Sequence, residues 1–408
     1  MKGRSLSQEL RTLPRRASWW LRLRFERYRD GLGRRFSVFR RAPDVTTPES
    51  EEVPLAGRFC PNPFRQVDLE PNGAAFACCS SWLQTPMGNL RSKSLRDMWN
   101  GHAMQKIRES IYDGSFRYCR HDRCPDIKNG SLPSLEEAER NTSYGAAVRK
   151  RRTTVDALPA FINLVNDRSC NLSCPSCRTE RINFNEGHEY EKAARLQARL
   201  LEPYLAERND RDFVINITGS GDPFASRAYR ELLYTLDGSQ YPNMKIALQT
   251  NGVLLTPRIW ARMEKIHANI STILISFDAA TEETYKLTRR GGHWPTLLEN
   301  CRRMGELRAE GKVKYLRYDF VAQRDNFREM PAFVALAREL GGDRAYFSRM
   351  LDWGTWPRHE YLERCPWEAG HPLRGDFLQV LRDPVFEGPF VDLGNLSDYH
   401  REALRQGG

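Results

Sequence analysis

The chain has 408 residues, with 63 Lys+Arg against 52 Asp+Glu for a net charge of +11, and 40% of it is apolar. That length supplies two or three cores. An aromatic content of 11% and a charged fraction of 28% exclude a disordered or collagen-like chain. No run approaches the ~18 apolar residues of a membrane-spanning helix. At the N-terminus Arg22 and Arg24 interrupt Trp19, Trp20, Leu21 and Leu23, so a signal peptide's apolar middle is missing. A cytoplasmic protein is expected, and there ten cysteines point to metal ligands rather than disulfides.

Residues 1–54 read as a basic amphipathic arm and linker. Positions 1–45 hold 13 Lys+Arg against 4 Asp+Glu, so nearly all of the excess charge lies there. Leu21, Phe25, Tyr28, Leu32, Phe36 and Phe39 recur at helical spacing, with Arg22, Arg27, Arg29, Arg34 and Arg35 largely off that stripe. Such a helix suits an anionic membrane surface, or packing on its own domain. The near-neutral remainder argues against a nucleic-acid partner. The Pro- and Glu-rich stretch 42–54 reads as a linker.

Five cysteines follow in residues 55–150: Cys60, Cys78, Cys79, Cys119 and Cys124. Four thiolates suffice for a complete iron–sulfur cluster or a zinc site. A second group, Cys170, Cys174 and Cys177, occupies one loop after the strand-like run FINLVN (161–166). Structural zinc wants four ligands in paired knuckles, and here only three lie close in sequence. Three thiolates on a four-iron cluster leave one iron open to a substrate or cofactor. A zinc site completed by a distant ligand is the alternative. Cys301 and Cys365 stand alone and read as buried thiols.

Beyond the triplet, strand-like runs at 213–219, 245–252, 272–278, 315–323 and 344–350 alternate with helix-like stretches such as 226–236, 257–267 and 330–340. With FINLVN these make six βα units, hence a parallel sheet with its site at the carboxyl ends of the strands. Those ends carry Gly219, Ser220, Gly221, Asp222 and Pro223, then Thr250, Asn251 and Gly252, then Ser276 and Asp278, then Gln323. In the C-terminal stretch 351–408, Trp353, Trp356, His359, Trp367 and His371 either line a pocket or cap an open barrel side.

The CxxxCxxC loop, the Gly-Ser-Gly-Asp-Pro turn, Thr250-Asn251-Gly252 and the stretch SFDAATEETYKLTRRGG (276–292) together resemble the radical SAM superfamily over 155–350. The resemblance implies a partial (β/α)6 TIM-like barrel. Cys170, Cys174 and Cys177 would hold a 4Fe–4S cluster whose open iron chelates S-adenosylmethionine. It further implies that Gly219, Ser220, Gly221 and Asp222 meet the methionine amino group, that Thr250, Asn251 and Gln323 belong to the cofactor site, and that Ser276 or Asp278 meets the ribose or carboxylate. Ser176 stands where the family usually has an aromatic residue, and Asp222 is one carbon shorter than the usual glutamate.

The C-x12-G-x4-C opening from Cys60 through Gly73 to Cys78, with the GNL…S…D-x-WN run (88–100), resembles the SPASM auxiliary-cluster module, here placed N-terminal to the core. By that resemblance Cys60, Cys78, Cys119 and Cys124 hold one auxiliary 4Fe–4S cluster, with Cys79 competing with Cys78. The expected activity is reductive cleavage of S-adenosylmethionine and hydrogen abstraction from a peptide, protein or sugar-type substrate. A flavodoxin or ferredoxin would be the reductant and the auxiliary cluster would accept the electron. Asp278 is a candidate proton acceptor. The rival reading is a non-catalytic iron–sulfur or zinc scaffold, or an electron-transfer partner at a membrane, which leaves the glycine–acid turn unexplained.

Overall fold

The computed structural model describes residues 55–205, 211–217 and 220–407. The arm expected over 1–54, and Gly219, lie outside them. Six parallel strands form the core: β4 (Phe161–Leu164), β5 (Phe213–Ile217), β6 (Met244–Thr250), β7 (Ile270–Ser276), β8 (Tyr315–Ala322) and β9 (Arg344–Arg349). Alternation decides their two faces. Ile162, Leu164, Ile215, Ile217, Leu248 and Ile273 are buried in the main core together with Leu196, Leu200, Tyr229 and Leu233 of the covering helices Gly187–Leu205 and Arg227–Thr235. The intervening Asn163, Asn216, Gln249 and Ser276 are half-buried on the opposite, concave face.

The sheet continues past the core on both sides. β1 (Gln66–Leu69) pairs in parallel with β4, and antiparallel β2 (Ala74–Phe76) and β3 (Gly88–Asn89) follow it. On the other flank β10 (Val391–Asp392) pairs with β9, giving the ten-strand order β10-β9-β8-β7-β6-β5-β4-β1-β2-β3. The sheet therefore runs unbroken through the boundary placed between 150 and 155. Its flanks also meet: the helix Pro125–Lys128 packs on the turn Gly394–Leu396, where Asn129 Nδ2 donates to the Gly394 carbonyl at 3.2 Å.

Local chemistry explains several turns. Gly73 sits in the β1–β2 turn at φ +82°, and a Cβ there would lie 2.8 Å from Asn89 Oδ1, so the glycine between Cys60 and Cys78 is a backbone requirement. Trp99 donates its indole N–H to Ala157 O, and Asn100 brackets Val155, pinning 153–157 to the auxiliary module. Arg108, fully buried, donates to Pro63 O and Thr153 O and stacks on Trp99. The helix expected over 257–267 is instead two pieces, Pro257–Ala261 and the 3-10 turn Glu264–Asn269. Stacking of His267 on Trp260, with Asn269 captured by the carbonyls of Tyr241 and Met244, tightens the chain there. Trp367 is buried against Phe377, which also meets Tyr399, whereas Trp353 is exposed. Cys301 and Cys365 are fully buried.

Candidate active site

The triplet loop leaves β4 at its carboxyl end. Asp167 shapes it, accepting from the Ser169 N–H at 2.8 Å and from the Ser226 hydroxyl at 2.6 Å. Each thiol meets a donor. Cys170 Sγ accepts from the Leu172 N–H at 3.4 Å and faces Asn251 Nδ2 at 3.8 Å. Arg178 lies 3.4 Å from Cys177 Sγ, and Arg289 lies 3.9 Å from Cys174 Sγ. Burial pushes Cys170 up to about 11 and raises Cys174, against the opposing pull of Arg178 and Arg289. Burial disfavours the Arg178 charge, yet the three thiols outweigh it and hold the guanidinium charged.

The residues after the other strands gather on this loop. A Cβ at Gly221 would meet the Ser169 and Asp167 carbonyls at 2.6 and 2.7 Å, so only glycine permits the approach. Asp222 N–H donates to Ser169 O, and Ser220 Oγ to Val165 O. The buried Asp222 carboxylate accepts from Thr250 Oγ1 (2.7 Å), Asn251 N–H (2.9 Å) and Phe224 N–H (2.9 Å), so it ties the turn after β5 to that after β6. Asn251 also donates to Asn171 Oδ1 at 2.8 Å. Ser276 ends β7 on the concave face, and Gln323 is buried beyond β8, where its N–H donates to Asn326 Oδ1.

Asp278 stands at φ +60° with both carboxylate oxygens engaged: the Val321 N–H at 2.7 Å and Arg289 at 2.8 Å. Asn326 and Thr288 donate to its carbonyl. Burial raises its pKa, with Arg289 opposing. The carboxylate thus orients Arg289 toward Cys174. Arg178 and Arg289 escaped the sequence reading, although the first directly follows Cys177 and the second lies in the TRRGG run.

In the auxiliary module, Cys60, Cys78, Cys119 and Cys124 are near enough to load one another. Burial raises Cys60 first, and Cys119 and Cys124 add to it. Burial and then Cys60 raise Cys78, while Cys119 is pushed up to about 12 by burial and Cys124. Asn62 Nδ2 donates to Cys78 Sγ at 3.5 Å. Cys79 is raised by burial and bonded to Ser81, with Asp68 and Glu70 as charged neighbours, and it in turn adds to the load on Cys124. Among the described residues no three His, Cys, Asp or Glu close on a single-ion site.

One register row crosses the concave face as Asp68, Asn163, Asn216, Ala247 and Thr272. Asp68, supplied by the auxiliary module, is 4% exposed; burial lifts it to about 6, opposed by Gln66 and Asn163. Asn216 Nδ2 donates to Asn163 Oδ1 at 2.7 Å.

A parallel sheet with a triple-thiol loop at the carboxyl ends of its strands, cradled by arginines, defines an iron–sulfur enzyme of the α/β class. Residues 168–317 match the radical SAM superfamily, and 60–125 match SPASM, an iron–sulfur cluster-binding domain. The chain thus carries a radical SAM domain, with a SPASM domain ahead of it. No curated protein matches it. Among solved structures it is similar to TYW1 with a lysine-pyruvate adduct bound (17% identity, 54% of this chain and 70% of that one, TM-score 0.32). It is also similar to Streptococcus suis SuiB bound to precursor peptide SuiA (14%, 72% and 64%, 0.36) and to archaeal TYW1 (18%, 41% and 58%, 0.26). The chain thus spans less than two thirds of the length of the latter two, and likeness this distant carries no function.

The cofactors are a 4Fe–4S cluster with S-adenosylmethionine and an auxiliary cluster. The core residues fit the first: sulfur donors met by N–H groups and two guanidinium ions suit an anionic thiolate cluster. Four mutually close thiols fit the second. No helix among the described residues is long and apolar enough to cross a membrane.

Proposed function

We propose that this radical SAM enzyme abstracts hydrogen from an unactivated C–H bond of a peptide, protein or sugar-type substrate held on the concave face. When bound, the cluster and S-adenosylmethionine supply reductive C–S cleavage to methionine and a 5′-deoxyadenosyl radical, with a flavodoxin or ferredoxin as reductant. Cys170, Cys174 and Cys177 hold the cluster. Arg178 and Arg289 offset the sulfur charge, and Asp278 aims Arg289. The 219–222 turn, Thr250, Asn251, Ser276 and Gln323 bind the cofactor. Asp222 acts by fixing that turn, since three donors already occupy its carboxylate. Asp278 serves as a positioning residue rather than as the proton acceptor expected of it.

The observation that carries the reading is the junction itself: Gly221 presses on the carbonyls of the thiol loop while every thiol in that loop meets a donor. Cys60, Cys78, Cys119 and Cys124 hold an auxiliary cluster that takes the electron left after abstraction; with four thiolates no iron remains open for substrate. Anaerobic reconstitution should give about eight irons per chain, and dithionite with S-adenosylmethionine should yield 5′-deoxyadenosine. Four irons with that product would leave the auxiliary site empty or zinc-filled. No product would sink the enzymatic reading.

A further inference from the structure

The polar row on the concave face has a direction. Asp68 is a nearly buried carboxylate with no cationic partner among the described residues, so its neighbours must supply donors. Gln66 Nε2 donates to it at 2.8 Å. Asn163 is its register partner on β4 and gives its Oδ1 to Asn216, which leaves the Asn163 N–H for Asp68, in keeping with the opposition of Asn163 to the burial shift. Asn216 answers by donating, and is left with an outward Oδ1 that takes no hydrogen bond among the described residues. The carboxylate thereby fixes both amides, and a chain of aligned amides strengthens its last acceptor.

The next position in the row is Ala247, whose side chain cannot reach that oxygen, and beyond it stands half-buried Thr272, whose hydroxyl makes a long 3.5 Å contact with Ser271 Oγ that a better acceptor would displace. Two inter-strand steps, about 9.6 Å, separate the Asn216 and Thr272 backbones. An amide spans such a gap, giving its N–H to Asn216 and taking the Thr272 hydroxyl proton on its carbonyl. One hydroxyl group reaches only one side, and an anion meets the wrong end of a chain begun by a carboxylate.

We propose that Asn216, Ala247 and Thr272 form a substrate subsite for an amide group, oriented by Asp68 of the auxiliary module through Asn163. The auxiliary module then does more than accept an electron: it sets the polarity of the substrate wall. This deepens the reading of a peptide substrate on the concave face and rests on it.

The test is saturation-transfer NMR on the full chain with three probes: N-acetyl-alaninamide, glucose and succinate. The amide should receive the strongest transfer. Ala247→Leu, which fills the gap, and Asn216→Leu, which removes the acceptor, should each weaken amide binding about fivefold, the worth of one hydrogen bond. Asn216→Asp, which keeps an acceptor, should retain it. Thermal melts check folding, and Ala247→Val replaces the leucine variant if that one unfolds. Equal or stronger transfer to glucose or succinate overturns the proposal, as does amide binding that survives both leucine variants. Amide binding without any 5′-deoxyadenosine formation would instead break the radical reading and leave this subsite standing.

Discussion

The two thiol groups of this chain use the same side chain in opposite electrostatic settings. Around Cys170, Cys174 and Cys177 stand two arginines, an asparagine amide and a backbone N–H. Around Cys60, Cys78, Cys119 and Cys124 the backbone N–H groups of Asn62 and Ile127 oppose burial at Cys60 and Cys124, and the charged influences are other thiols and acids: Asp126 on Cys60 and Cys124, and Asp68 on Cys78. Asn62 is the one side-chain amide donating to a thiol there among the described residues. The core loop is therefore prepared for anionic sulfur before iron arrives. Burial holds Cys170 and Cys174 protonated as it does the auxiliary thiols, and what sets the core loop apart is the guanidinium ions waiting where sulfur charge forms once iron displaces those protons. The difference suits a cluster that must admit a cofactor at one site and a cluster closed by four ligands at the other.

The largest expected effect separates the two groups. Cys174→Ala should bring 5′-deoxyadenosine to background while about half the iron stays bound. Cys124→Ala should lose a similar share of iron yet still cleave S-adenosylmethionine. Product loss in both variants would mean that the auxiliary cluster belongs to radical initiation, and the contrast would collapse.

Next comes the arginine cradle. Arg289→Met strands the buried Asp278 carboxylate, so unfolding free energy from denaturant titration should fall by roughly 3–5 kcal/mol. Arg178→Gln strands no carboxylate, because Arg178 donates to the carbonyls of Arg168 and Ser220 and to Cys177. It should cost only about 1–2 kcal/mol. In both variants the reconstituted core cluster should become harder to reduce, since a positive charge beside its sulfur is gone. An EPR-monitored redox titration reads that shift, and unchanged potentials would leave the arginines as packing alone. A smaller effect concerns ligand choice: Cys78→Ser should lower auxiliary iron, and Cys79→Ser should leave it nearly intact, because the Cys79 thiol is engaged by Ser81 whereas Cys78 has Cys60 as its strongest charged neighbour.

Much of the core was legible because its signals are local. The six strands follow from apolar alternation, and the triplet spacing marks the cluster loop without any tertiary knowledge. The join was not legible. Nothing in the four residues of β1 announces that they pair with β4, since register between distant segments is set by faces that only the fold brings together. For the same reason nothing in the sequence singles out Asp68. Asp278 was placed at the site, but its pairing with Arg289 depends on a left-handed backbone that sequence does not reveal.

The subtlest effect tests the seam between the two regions through Asp68. Its folded pKa, about 6, lies above the ordinary carboxylate value, so folding favours the protonated form. The stabilisation this gives is complete at and below pH 4 and is lost as the pH rises through 6. Asp68→Asn imitates the protonated carboxyl and does not titrate. The variant should therefore match the native chain near pH 4 and exceed it at pH 7.5 by up to ~3 kcal/mol, from a two-unit shift at 1.36 kcal/mol per unit. Thermal melts across that range supply the measurement, and the difference between the two proteins cancels the titration of Asp222, Asp278 and Asp319. Asp68 also raises Cys78, so its loss should ease iron uptake at the auxiliary site and leave the core loop unaffected. A stability gap that stays flat with pH would mean that Asp68 is neutral or solvated in the folded chain. The electrostatic contrast between the two thiol groups would then owe nothing to the strand that joins them.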